Sequence, residues 1–279
     1  MGDVLEQLIS FLLRALTIFD VHLNLYIRLK FNLIMKLNQD AFGQEILNYL
    51  QKKESYEIIE RDDGLIVMSK GPKNYFAEFK DWPKIQKQAI KFARGKILDI
   101  GAGAGRVSLY LQKKGWDVIA IDNSPLAIQV CKKRGVKKAI VLPIEKIGKF
   151  KPSTFDTIIM FGNGFGLFGS FKKAKSLLKK LYRITSPDAL IIAEGTDPYK
   201  TSDPFHLLYH RFNKKRGRMP GQLRIRVRFK TYIGEWFDYL LVSKDEMKKI
   251  LKGTGWKIEK FIDSGKSTYI AVISKLEKK

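Results

Sequence analysis

Residues 97–106 read ILDIGAGAGR. An apolar run ends in an acid, Asp99, and Gly101, Gly103 and Gly105 then alternate with small residues. Glycine lets the backbone turn tightly, and the missing Cβ lets a ligand approach the main chain. A helix opening at Gly105 points free N–H groups at whatever sits there. The next apolar run, DVIAID, ends in a second acid, Asp122. This spacing predicts a strand, a glycine turn, a helix and a second strand, with Asp122 placed to accept both hydroxyls of an adenosine ribose.

The same rhythm continues along the chain. Strands are expected at 96–100, 117–121, 138–142, 155–161 and 189–194, alternating with helices at 105–114, 125–134 and 171–184. That order implies a parallel sheet covered by helices on both faces. Upstream, 40–52 and 82–93 read as helices, and YEIIERDDGLIVM as an extended segment turning at Asp63–Gly64. Residues 196–242 break the rhythm with Pro198, Pro204, Gly217, Pro220 and Gly221, followed by two alternating strands near 223–232 and 235–242. A helix at 243–252 and strands near 256–262 and 268–274 close the chain. Residues 3–19 have helical spacing and 21–33 alternate like a strand. The expected divisions are an N-terminal extension (1–36), a cap (37–90), a nucleotide-binding core (91–195), a substrate-cover insert (196–242) and a C-terminal part of the core sheet (243–279). The extension docks on the sheet edge or on a second copy, giving a homodimer, unless translation starts at Met35.

Of the 279 residues, 45% are hydrophobic, enough for a sizeable core. The single cysteine, Cys131, excludes an intrachain disulfide and a cysteine zinc site; its helical context reads as a buried thiol. The net charge of +24 fits nucleic acid, an anionic surface or acidic substrates, but the lysine runs on predicted helix faces read first as solvated surface. Arg14, Asp20, His22 and Asn24 interrupt the apolar N-terminus, so neither a transmembrane segment nor a signal peptide is expected, and the location is read as cytoplasmic.

Asp99 separates two cofactor classes. A carboxylate two residues before the first glycine repels a pyrophosphate, which disfavours a nicotinamide dinucleotide. It suits a cofactor with an ammonium group and a sulfonium centre, as S-adenosylmethionine has.

ILDIGAGAGRVSLYLQKKGWDVIAIDNSP resembles the cofactor motif of class I S-adenosylmethionine-dependent methyltransferases, and the likeness runs over about residues 90–195. A weaker match at 243–279 corresponds to the family's closing antiparallel hairpin. Within the family the sequence is most similar to the small-molecule type, where FGNGFG (161–166) resembles the loop after the fourth strand. The resemblance implies an α/β fold with a Rossmann-like, seven-stranded, mostly parallel sheet, helices on both faces, and a β-rich insert between strand 5 and the last helix. It implies that Asp99, Gly101, Ala102, Gly103 and Gly105 hold the methionine end, Asp122 the ribose, and Asn123, Ile144 and Glu145 the adenine surroundings. Phe161, Gly162 and Asn163 line the place where the methyl group leaves, and Tyr75 and Trp82 close the site from the N-terminal side, unless they are ordinary core aromatics.

Methyl transfer needs orientation and desolvation, and a base only where the nucleophile must lose a proton. Asn163, His206 and His210 are the catalytic candidates. His206 and His210 stand i, i+4, but no third ligand is evident, so no metal is expected. The loop after the fourth strand lacks the Pro-Pro motif of enzymes that methylate exocyclic base amines, and Cys131 lies away from the active face. Arg224, Arg226 and Arg228 share one strand face, and such like charges need an anionic counterpart. It is an acidic small substrate, RNA, or the protein's own Glu235 and Asp238. The favoured function is methyl transfer to an O or N of a small anionic acceptor. RNA as acceptor, and a catalytically inactive cofactor-binding partner subunit, are the alternatives.

Overall fold

A computed structural model describes residues 37–69 and 71–276. The expected helix at 3–19 and strand at 21–33, with the homodimer built on them, lie outside the described residues. The chain runs through α1 (Ala41–Leu50), the hairpin β1 (Ile58–Arg61) and β2 (Ile66–Met68), α2 (Lys73–Phe76) and α3 (Lys84–Ala89). The core follows: β3 (Ile97–Ile100), α4 (Arg106–Lys113), β4 (Val118–Asp122), α5 (Pro125–Lys133), β5 (Ala139–Val141), β6 (Phe155–Met160), α6 (Phe171–Ile184) and β7 (Thr185–Thr196). Then come α7 (Pro204–Lys215), β8 (Gln222–Phe229), β9 (Tyr232–Ile233), β10 (Phe237–Leu240), α8 (Lys244–Leu251), β11 (Trp256–Asp263) and β12 (Thr268–Lys275).

Seven of these strands form one sheet in the order β11-β12-β7-β6-β3-β4-β5. β3 to β7 pair in parallel, and β12 runs antiparallel to both neighbours. The run ILDI is buried at every residue, its acid included, as a strand covered on two faces requires. Successive side chains go to opposite faces. Ile97, Ile159, Ile192 and Ile270 pack with Ile85 and Ala89 of α3 and Val107 and Leu111 of α4. Leu98, Ile158, Ile191 and Ala271 pack with Leu177 and Leu181 of α6 and Met247 and Ile250 of α8. The expected architecture, a seven-stranded, mostly parallel sheet with helices on both faces, is present.

The lysine runs do what a solvated face does. In α6, Leu177, Leu178, Leu181 and Ile184 are buried while Lys172 and Lys179 are exposed. Ser170 caps that helix by accepting from the Lys173 N–H.

The cap and the insert, expected as separate pieces, share a second, antiparallel sheet. Its order is β10-β8-β1-β2, with β9 paired to β8. β1 pairs with β8 over Ile58 to Arg61 against Arg228 to Ile225. The strand expected at 235–242 is shorter, β10 at Phe237–Leu240, and β9 precedes it as a two-residue return on β8. Helix α7 was not expected. Asp203 caps it, its carboxylate accepting from the Phe205 N–H at 2.8 Å, and Pro204 occupies its first turn. Among the described residues no helix is long and apolar enough to cross a membrane.

Candidate active site

The glycine turn joins β3 to α4 in a backbone that side chains resist. Gly101, Gly103 and Gly105 have φ of 71°, 54° and 79°. The Gly101 and Ala102 N–H groups both donate to the Ile121 carbonyl at the end of β4. Cys131 lies beneath the turn: its thiol approaches the Gly103 carbonyl at 3.2 Å, and a Cβ on Gly105 would stand 3.0 Å from its sulfur. Burial, then the charges of Asp122 and Asp99, push that thiol up, so it is an inert packing group, as the sequence suggested.

Two buried carboxylates border the turn. Asp99 accepts from the Ser108 hydroxyl at 2.7 Å. Burial pushes it up to about 6, against the Ser108 hydrogen bond and the Arg106 charge. Asp122 accepts from the N–H groups of Gly103 and Ser124, each at 3.0 Å. Burial pushes it too up to about 6, against those same hydrogen bonds. Asn123, next to it, is exposed.

Arg106, the first residue of α4, completes this corner. Its guanidinium lies 4.7 Å from the Trp82 ring centre and donates to Gln86 Oε1 at 2.9 Å. Its Nη1 is buried and has no partner. An unpaired buried donor on a cation is a group waiting for an acceptor.

The loop after β6 is held by Glu194 at the end of β7. That carboxylate accepts from the N–H groups of Gly162 and Asn163, both at 3.2 Å, and from Gln86 Nε2 at 2.5 Å. Asn163 is left-handed, with φ 59°. Its carbonyl accepts from the Tyr239 hydroxyl at 2.8 Å, and its side-chain Oδ1 is buried without a partner. Tyr239 comes from β10, so the second sheet reaches the loop. Gly166 admits its ring: a Cβ there would stand 2.5 Å from it.

The remaining predicted residues divide. Phe161 is buried, edge-on to Trp82 at 6.2 Å, and Trp82 donates to the Ala77 carbonyl at 3.0 Å. Tyr75 lies over the turn, its ring 3.5 Å from a Cβ built on Gly103, and donates to Glu57 at 3.1 Å. Ile144 is buried in the core, and Glu145 pairs with Lys173 of α6; that pairing lowers its carboxyl although burial opposes it. His206 and His210 sit on α7, His206 Nδ1 3.4 Å from Thr201 Oγ1 and His210 against the Tyr199 ring. The network that ties Asn163 to Glu194 and Tyr239 includes neither histidine. The geometry therefore brings together Asp99, the glycines, Asp122, Phe161, Gly162 and Asn163, and leaves the histidines in a separate cluster.

Each arginine of the strand has an internal partner. Arg226 makes two hydrogen bonds to Glu60 at 2.8 and 2.9 Å, and Arg228 adds a third at 3.2 Å. Arg224 and Arg218 pair with Asp238. Of the two acids expected as counterparts, Asp238 serves; the other role falls to Glu60 on β1, which the strand pairing places opposite Arg226.

Behind Tyr75 lie two further acids. Glu57 accepts from Ser69 and Tyr75, and burial raises its carboxyl against those bonds. Glu45 of α1 is fully buried, and neither carboxylate oxygen has a partner. Burial, then the neighbouring Glu57, pushes it up to about 9.

Comparison with known proteins agrees with this fold. Residues 98–193 match the family model for a methyltransferase domain. A demethylmenaquinone methyltransferase of Renibacterium salmoninarum is 28% identical over 130 residues, which cover 46% of this chain and 52% of that protein. The chain thus spans about half the length of that curated relative. The crystal structure of an S-adenosylmethionine-dependent methyltransferase from Bacteroides fragilis, in complex with S-adenosyl-L-homocysteine, superposes with a TM-score of 0.73 at 28% identity, covering 88% of this chain and 98% of that one. An S-adenosylmethionine-dependent methyltransferase from Methanosarcina mazei shares the fold at a TM-score of 0.55 and 19% identity, covering 71% and 99%.

Proposed function

We propose that this chain, which carries a class I S-adenosylmethionine-dependent methyltransferase domain, transfers a methyl group to a nitrogen or oxygen of a small acceptor. One observation carries the reading: a buried carboxylate, Asp99, and the half-buried guanidinium of Arg106, whose buried Nη1 has no partner, stand on either side of the glycine turn. They match the ammonium and the carboxylate of an amino-acid cofactor. A nicotinamide dinucleotide has neither of those groups paired in that way.

When bound, S-adenosylmethionine supplies a methyl group on positively charged sulfur, open to in-line attack by an uncharged nitrogen or oxygen. The chain's residues orient and shield. Asp99 takes the ammonium, Arg106 Nη1 the carboxylate, and Asp122 the ribose hydroxyls. Glu194 fixes the 162–163 backbone by accepting its two N–H groups, and Tyr239 holds it from the other side. That leaves Asn163 Oδ1 as a fixed acceptor for the N–H or O–H of the incoming nucleophile. Because Glu60 and Asp238 pair with every arginine of the strand, nothing in this reading requires the acceptor to be anionic.

The test is calorimetric titration with S-adenosylmethionine, S-adenosylhomocysteine and NADH. Binding of the first two and not of NADH is expected, followed by label transfer from methyl-labelled cofactor to a panel of small amines and alcohols. Binding of NADH alone would overturn the cofactor reading; cofactor binding with no transfer to any acceptor would make the chain a binding partner instead. The affinity should also depend on pH. Asp99 and Asp122 are ionised above about 6 and protonated below it. Only the ionised Asp99 attracts an ammonium, so S-adenosylhomocysteine should bind at least about tenfold more weakly at one pH unit below 6 than at neutrality, with the protonation of Asp122 adding to the loss. Asp99→Asn should bind weakly at both, and a wild-type affinity that does not change with pH would refute the assignment.

A further inference from the structure

Helix α7 turns outward a face that the described residues do not cover. Phe205, Leu208 and Phe212, at i, i+3 and i+7, are 60%, 52% and 41% exposed. The helix is fixed from its inner side by polar contacts: Tyr209 donates to Asp62, and Asn213 Nδ2 donates to the carbonyls of Pro220 and Gln222. Large apolar side chains thus face water while a tyrosine and an asparagine face the protein. This inverts the usual helix pattern and marks an interaction surface.

Beside the apolar stripe on the same helix lie Arg211, Lys214 and Lys215, all exposed. No ion pair among the described residues involves any of the three. Arg216 stacks 3.7 Å above the Phe212 ring and pairs with Asp62. The β1–β2 hairpin is tied to the helix, since Arg61 donates to the Phe205 carbonyl at 3.2 Å. Its edge strand β2 exposes Ile66, Val67 and Met68 in succession.

We propose that the outer face of α7 docks on an anionic phospholipid bilayer. Phe205, Leu208 and Phe212 enter the boundary of the acyl region, and Arg211, Lys214 and Lys215 reach the charged headgroups. Charge decides between occupants. A second copy would bring like charges together, because the chain carries +24. A nucleic acid would satisfy the three cations and stack on the phenylalanines, but it would leave the aliphatic Leu208, Ile66, Val67 and Met68 without an apolar partner. The inference stands on this face alone and does not depend on the methyl acceptor.

The experiment is co-sedimentation of the full chain with phosphatidylglycerol-rich vesicles and with pure phosphatidylcholine vesicles, at low and high salt. Binding to the anionic vesicles, weakened by salt, is expected. Arg211→Glu/Lys214→Glu/Lys215→Glu should weaken it by on the order of a hundredfold, and Phe205→Ser/Leu208→Ser should lose it. All five side chains are exposed, so S-adenosylhomocysteine affinity and melting temperature should stay at wild-type values and report an intact fold. No binding to anionic vesicles overturns the proposal. So does equal binding by both variants, which would place the lipid affinity elsewhere in the chain. A concentration-dependent dimer that dissociates in Phe205→Ser/Leu208→Ser, without vesicle binding, would assign the face to a second copy.

Discussion

Asp122→Ala should lower the affinity for S-adenosylhomocysteine by on the order of a thousandfold, because hydrogen bonds from a ligand to a charged group contribute about 1.5–3 kcal/mol each and two ribose hydroxyls are involved. The carboxylate closes β4, and its position is set before any ligand arrives. The Gly103 N–H holds one oxygen and the Ser124 N–H the other, at 3.0 Å each. Each oxygen keeps a further lone pair, and those are the ones the ribose takes. The fold should survive the change. Alanine loses two backbone hydrogen bonds, but it also removes a buried carboxyl whose pKa burial has raised to about 6, and the two effects oppose each other. Asp122→Asn keeps the shape without the charge and should fall between. Calorimetric titration beside thermal melts reads both quantities. Unchanged affinity in Asp122→Ala would remove Asp122 from the ribose.

What the sequence showed and what it hid follow from the range of the interactions. The β3–turn–α4–β4 unit is local: Asp99, three glycines and Asp122 lie within 24 residues, and each local preference agrees with the fold. Glu194 carried a readable signal that went unused, for it ends the apolar run LIIAE as Asp99 and Asp122 end theirs. Arg106 stood in the opening stretch, and only the packing of Trp82 and Gln86 around it shows that one nitrogen is left unpaired. Helix α7 carried two signals that went unused, the cap and first-turn pair Asp203–Pro204 and the helical spacing of Phe205, Leu208 and Phe212. The second sheet, by contrast, was hidden. Its central pairing joins Ile58 to Arg228, and no local pattern announces a partner that distant. The same pairing supplied Glu60 to the arginine strand, so the charge puzzle read from the sequence dissolves once the register is known.

Glu45→Gln should stabilise the protein by about 3 kcal/mol at neutral pH. Unfolded, this carboxyl titrates near 4.5; folded, burial and Glu57 push it up to about 9. Between those values the folded chain keeps a proton that the unfolded chain releases. Stability is therefore greatest below the unfolded value and falls as pH rises, by about 1.4 kcal/mol for each unit. Neutral pH lies about two and a half units into that window. Glutamine has the same shape and no proton to lose, so it removes the penalty at every pH within the window. The two oxygens of Glu45 have no partner, so no hydrogen bond is lost in the exchange. Denaturant unfolding at about pH 6 and about pH 8 separates this from a general packing gain. Asp99 and Asp122 have no contact with Glu45 and titrate alike in both proteins, so their contributions cancel in the comparison. The variant should lose less stability than the wild type between the two conditions. Parallel losses would mean that Glu45 is not the group that resists ionisation, and that its proton is held in common with Glu57.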